Sequence, residues 1–264
     1  MENSRRQFIA GSAALSAAVG AAMSVPSAAE AAADKVMFPV DAVFIPVVGS
    51  DRKFQVRRIY CVGRNYAAHS REMGSDPTRE PPFFFQKPTD AIQLVPQGVT
   101  IDHPYPSLTK NYHYEIELVA AIGKRGKNID AARALDYVIG YGVGLDMTRR
   151  DLQRFMGDQK KPWEVGKSFD HSAVVSHLHL AEKTGHFTQG AITLKVNGAI
   201  KQSSDLKNMI WSVAEQVANL SQYYELFPGD IIYSGTPENV GPGVVGDVME
   251  GHIDGLYDIS AKVV

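Results

Sequence analysis

Two apolar segments of this chain carry acidic side chains at places where a strand must either solvate or compensate them, and that conflict limits what the chain can become. In Tyr114-Glu115-Ile116-Glu117-Leu118-Val119 acidic and apolar residues alternate. Residues two apart in a strand project to one side, so Glu115 and Glu117 share a face while Ile116 and Leu118 turn to a core. Alone, such a pair is most often a solvated strand face. Asp146 shifts the weighting. It closes the glycine-rich apolar segment Val138–Leu145, where a lone carboxylate is costly to bury. Three carboxylates with carbonyls and water form a hard oxygen site suited to Mg2+, Mn2+ or Ca2+. Lys167, within the mostly apolar stretch Trp163–Asp170, would offset the excess negative charge or contact a substrate oxygen.

Around this pair of strands the pattern is β-rich. Short strands are expected at Val43–Val48, Arg57–Val62, Ile231–Ser234, Val244–Glu250 and Tyr257–Val263, and a buried one at Phe83–Gln86 between prolines. Tyr114–Ile122 and Tyr141–Asp146 read as longer strands. Asn197-Gly198 between alternating apolar residues predicts a hairpin over Ile192–Ile200. Asn128 is a candidate cap for a helix reaching Val138. Leu206–Leu226 reads as the best helix, with Leu206, Ile210, Val213, Val217, Leu220 and Tyr224 on one stripe. The 264 residues, 44% hydrophobic and 21% charged, suit one α+β domain with a full core. A net charge of −2 supplies no basic patch for nucleic acid. Cys61 is the single cysteine, which excludes an internal disulfide and a thiolate metal cluster.

The segment Gly63–Glu72 holds a second chemical candidate. If it is helical, His69 and Glu72 are neighbours at i,i+3, and a carboxylate beside an imidazole orients it as a general base needs. By itself this is an ordinary surface pair. His177 and His179 alternate on a possible strand but read as structural. Gly166-Lys167-Ser168 lacks the preceding glycine of a phosphate loop, and no nucleophile elbow is present. At the N-terminus, Arg5-Arg6-Gln7-Phe8-Ile9 opens a stretch from Gln7 to Ala29 without charge, rich in Ala, Gly and Ser. It reads as a twin-arginine signal over residues 1–33, with cleavage after Ala31 or Ala33 and a periplasmic destination, cytoplasmic if the leader is not used.

In order along the chain, GRNYAAHSRE, FFFQKP, YHYEIELVAAIGK, GYGVGLDMTRRDLQ, KPWEVGKSFD and SGTPENVGPG resemble the fumarylacetoacetate hydrolase family, from Arg57 to the C-terminus. The resemblance implies a mixed β-roll and a homodimer. It divides the mature chain into residues 34–105, with the His/Glu helix, and a metal-binding core, 106–264, together one domain. It implies Glu115, Glu117 and Asp146 as metal ligands, Lys167 beside them and His69 with Glu72 as a water-activating dyad. Arg64, Tyr66, Gln153 and Thr236 then lie near the substrate. Within the family the segment from Gly63 to Pro88 is most similar to fumarylpyruvate hydrolases, which implies metal-dependent hydrolysis of a carbon–carbon bond in an acylpyruvate. Alternatives are oxaloacetate decarboxylation, dienoate isomerisation or hydration, and an exported protein that only binds metal or keto acid.

Overall fold

A computed structural model describes residues 37–74 and 80–264; the expected leader, residues 1–33, lies outside them. The unit Ala42–Val264 is built on a mixed sheet of eight strands. Its order runs Phe83–Lys87, Arg58–Gly63, Asp230–Tyr233, Ile116–Ile122, Val138–Asp146, Ala173–Val175 and Ile92–Leu94, with His179–Leu180 also on Val138–Asp146. Arg58–Gly63 pairs parallel with Asp230–Tyr233, and Ala173–Val175 parallel with Ile92–Leu94; the other pairings are antiparallel. A second sheet of five strands has the order Ala199–Asp205, Ala191–Val196, Val248–Ile253, Ile259–Val263 and Thr100–His103. Few helices flank these sheets, as expected for an α+β roll.

Alternation along the central strands sorts residues into two cores. Ile116, Leu118, Ala120 and Ile122 join Tyr141, Val143 and Leu145 and the inner face of the second sheet. Val119 and Ala121 join Ile59, Cys61, Ile231 and Tyr233 on the other side. Ile116 and Leu118 thus face a core as expected, but the face of Glu115 and Glu117 is covered too, and both carboxylates are buried.

Several elements differ from the sequence reading. The expected Leu206–Leu226 helix is one 3-10 turn, Leu206–Asn208, followed by a helix over Val213–Tyr223. Asn65 holds the intervening chain: its Nδ2 donates to the Trp211 carbonyl at 2.9 Å and its Oδ1 accepts from the Trp211 N–H at 2.8 Å. The helix restarts at Ser212, which with Glu215 forms a capping box. Asp130, not Asn128, caps the 3-10 segment Ala131–Tyr137; Asn128 sits at φ +50°. Phe83–Lys87 is an edge strand with Phe83 exposed, not a buried one. Tyr114–Ile122 is broken at Glu115: Tyr112–Tyr114 leaves the main sheet to pair with Thr148–Arg149 and Gly241–Pro242. The hairpin at Asn197-Gly198 forms between Ala191–Val196 and Ala199–Asp205.

His103 ties the five-stranded sheet to the main sheet and to the small sheet that contains Tyr112. Its ring contacts Gln93 Oε1 and the Tyr112 hydroxyl, each at 2.5 Å, and it is fully buried. Burial, reinforced by His171, lowers its pKa from 6.5 to about 4. Between those values the unfolded chain binds the extra proton, so this contribution to stability is present above pH 6.5 and is lost as pH falls towards 4. The shift corresponds to about 3 kcal/mol. Urea unfolding at pH 7 and 4.5 should show that loss in the wild type and a smaller one in His103→Gln. An equal loss in both proteins would clear His103 of the effect.

Candidate active site

One cleft gathers eight of the ten residues singled out in the sequence: Arg64, His69, Glu115, Glu117, Asp146, Gln153, Lys167 and Thr236. Glu72 stands behind His69. Tyr66 does not line the cleft; it is buried at the N-terminus of the Ala67–Glu72 helix.

The acidic floor is assembled by register. Glu117 pairs across the ladder with Gly144, two residues before Asp146, and the Asp146 N–H donates to the Glu115 carbonyl at 2.9 Å. The three carboxylates offer oxygens all within 4.8 Å of one another. Lys167 reaches them from the short helix Glu164–Lys167. Its Nζ donates at 2.7 Å to Glu115 Oε2, Asp146 Oδ2 and Thr148 Oγ1. An ammonium has three protons to donate, so Lys167 is fully engaged and acts as a fixed positive charge. Gly166 permits this placement, because a Cβ there would lie 2.7 Å from the Gln153 backbone nitrogen.

Two further buried cations were missed in the sequence. Lys87, closing the edge strand, lies 2.8 Å from Asp146 Oδ1. Arg150 pairs with Glu115 and donates to Gln153 Oε1 at 2.5 Å. Arg150 and Gln153 stand at i,i+3 on the Arg150–Asp158 helix, a spacing that was legible; nothing local marks Lys87. Burial acts to raise the Glu115 pKa, but Lys167 and Arg150 outweigh it and hold the carboxyl well below the usual range. Among the described residues Glu117 has no such partner in hydrogen-bond contact, and it accepts from the Gly235 N–H at 2.7 Å. Burial, then the charges of Asp146 and Glu115, push its pKa well above the ordinary value. The donor itself requires glycine: Gly235 has φ +98°, and a Cβ would meet that of Asn65 at 2.5 Å.

His69 is buried and its Nδ1 lies 3.1 Å from Glu72 Oε2. With the Nδ1 proton directed at the carboxylate, Nε2 is the acceptor. Burial acts to raise the Glu72 pKa, but the His69 hydrogen bond and charge and backbone donors from Asn239 and Val240 lower it. Glu72 therefore stays ionised at neutral pH. His179 is structural, accepting from the Tyr257 N–H at 3.1 Å.

Residues 58–264 match the model of the fumarylacetoacetate hydrolase C-terminal family. The chain belongs to the fumarylacetoacetate hydrolase family. It is an enzyme. A fumarylpyruvate hydrolase of Ralstonia sp. is 46% identical over 188 residues, covering 71% of this chain and 95% of that one. A mitochondrial oxaloacetate tautomerase of Homo sapiens is 41% identical over 207 residues, covering 78% and 91%. A crystal structure of fumarylpyruvate hydrolase from Pseudomonas aeruginosa, in complex with Mn2+ and pyruvate, aligns with TM-score 0.86 and 55% identity over 87% of this chain and 99% of that one.

The donor set in this member of the family fits a divalent cation. Three buried carboxylates supply hard oxygen ligands, and Glu117, buried without a cationic neighbour in hydrogen-bond contact among the described residues, lacks the countercharge an ion would bring. Glu115, Glu117 and Asp146 would hold it.

Proposed function

We propose that this enzyme hydrolyses acylpyruvates, 2,4-diketo acids such as fumarylpyruvate, to a carboxylic acid and pyruvate. The observation that carries the reading is the His69–Glu72 dyad facing the carboxylate triad across one cleft: a proton acceptor and a hard-cation site are what hydrolytic cleavage next to an enolate requires. Charge agrees. Three buried cations, Lys87, Arg150 and Lys167, stand against three buried carboxylates, so a bound divalent ion leaves two positive charges for a dianionic substrate.

A divalent ion at the triad supplies Lewis-acid polarisation of the substrate's 2-oxo oxygen and charge compensation for an enolate. His69 Nε2 removes a proton from water, Glu72 stabilises the imidazolium, and the oxygen adds to the 4-carbonyl. The bond between carbons 3 and 4 then breaks, and its electron pair passes to the pyruvate enolate. Carbon 3 is reprotonated by imidazolium, which restores neutral His69. Lys167 and Arg150 hold the carboxylates in place. Arg64, whose Nε has no hydrogen-bond partner among the described residues, retains donor capacity for a substrate carboxylate.

Purified enzyme should consume fumarylpyruvate, followed by its ultraviolet absorbance, releasing fumarate and pyruvate in equal amounts. A chelator should stop the reaction, with Mg2+ and Mn2+ compared on re-addition. Undiminished turnover in chelator would exclude the metal from the reaction. The tautomerase relative favours oxaloacetate as a second substrate, and accelerated keto–enol interconversion of oxaloacetate without loss of fumarylpyruvate would favour that reading. The proposal extends to a homodimer acting in the periplasm, supported by the Arg5-Arg6 leader and the family resemblance. Light scattering and cell fractionation test the two points separately.

A further inference from the structure

Outside the carboxylate cleft the molecule opens into a second cavity of about 690 Å³. Arg64, Met73, Gln153 and Trp163 line both spaces, and these shared side chains, Arg64 among them, form the neck between the two. The outer wall is the C-terminal half of the Arg150–Asp158 helix and the turn that follows it, and it is basic. Arg154, Lys160 and Lys161 line it against Asp158 and Glu72. Glu72 is already engaged by His69 and by the Asn239 N–H, and Lys161 donates to Gln159 Oε1 at 2.7 Å. No described ion pair holds Arg154 or Lys160, and both are exposed to the cavity side.

Lys160 carries a second sign. It occupies a left-handed backbone position, φ +55°, immediately after the helix, where its N–H bonds to the Gly157 carbonyl at 2.8 Å. Glycine is the unstrained residue for that position. A cation at a helix C-terminus gains from the macrodipole, but that gain does not require the left-handed site, nor does it place Arg154 on the same cavity wall.

We propose that Arg154 and Lys160, with Arg64 at the neck, form a subsite for the distal carboxylate of a dicarboxylic acylpyruvate. This rests on the acylpyruvate reading of the inner cleft. A diketo acid anchored by its pyruvyl end at the triad directs its acyl group through the neck, and a carboxylate at the far end of that group enters a wall with two uncommitted cations. An acyl group ending in methyl leaves them without a partner.

Fumarate and crotonate separate the terms, because they share a backbone and differ in one carboxylate against one methyl. Calorimetric titration of each into Mn2+-loaded enzyme should show fumarate bound at least about tenfold more tightly, a factor in keeping with charge-assisted hydrogen bonds. Arg154→Ala combined with Lys160→Ala should erase most of that preference. In turnover, the ratio of kcat/KM for fumarylpyruvate over acetylpyruvate should fall by a similar factor through KM. A preference that persists in the double variant, or is missing in the wild type, overturns the subsite. If no acylpyruvate is hydrolysed but the fumarate preference exists and vanishes in the variant, the subsite stands and the reaction assigned to the inner cleft falls.

Discussion

His69→Ala is expected to lower kcat on an acylpyruvate by about 10²–10⁴, the usual contribution of a positioned general base, while leaving metal affinity within a factor of a few. The separation follows from the geometry. His69 lines the cleft but belongs to the Ala67–Glu72 helix, and among the described residues its ring bonds to Glu72 and not to a carboxylate of the triad. Glu72 would keep its Asn239 contact at 3.1 Å, so the helix retains an anchor in the variant. Stopped-flow turnover beside Mn2+ titration by electron paramagnetic resonance makes the comparison. Turnover unchanged from the wild type would remove His69 from the chemistry, and a parallel loss of metal would make it a structural residue of the site.

Glu117→Gln should move two quantities in opposite directions. Metal affinity should drop by at least about a hundredfold, because one of three anionic ligands becomes neutral, and turnover should follow it. The metal-free protein, by contrast, should melt at a higher temperature than the metal-free wild type. Burial, Asp146 and Glu115 together raise the Glu117 pKa, so the folded state holds a proton that the unfolded state releases as pH rises above the ordinary carboxylate value. That difference weakens the apoprotein with increasing pH. Glutamine preserves the acceptor facing the Gly235 N–H and abolishes the titration. Calorimetric melts in chelator at pH 5 and pH 8 would show the gap between variant and wild type widening at the higher pH. A destabilised apo variant would mean that Glu117 supports the fold directly.

The course of the chain was legible where local chemistry repeats at the period of the element. Asn197-Gly198 located its hairpin, and the alternation about Ile116 and Leu118 oriented the central strand. The Leu206–Leu226 reading failed because helical spacing continued in register through a break enforced by Asn65, a residue about 146 positions away; Ser212 and Glu215 were nevertheless a visible start signal. At the site, Glu115, Glu117, Asp146 and Lys167 were found as a conflict between charge and apolar surroundings. Lys87 was not, since a lysine ending a strand before proline is unremarkable in sequence, and its burial comes from the fold around Met147 and Lys167, whose carbonyls accept from it. Gln202 was equally silent. It is buried in the second sheet, takes the Ile116 N–H on Oε1 and donates to Thr236 Oγ1, tying the ligand strand to the loop that borders the cleft.

Glu72 Oε2 receives both the His69 ring and the Asn239 N–H, each at 3.1 Å. One oxygen therefore serves as the hinge pin between the helix and the opposite bank of the cleft. Because His69 and Glu72 lie on the same helix, an excursion that lifts it off that bank breaks the Asn239 bond and leaves the dyad whole. The base and the carboxylate that orients it travel as one piece, so an opening of the cleft would carry the proton acceptor away from the ion site without taking it apart.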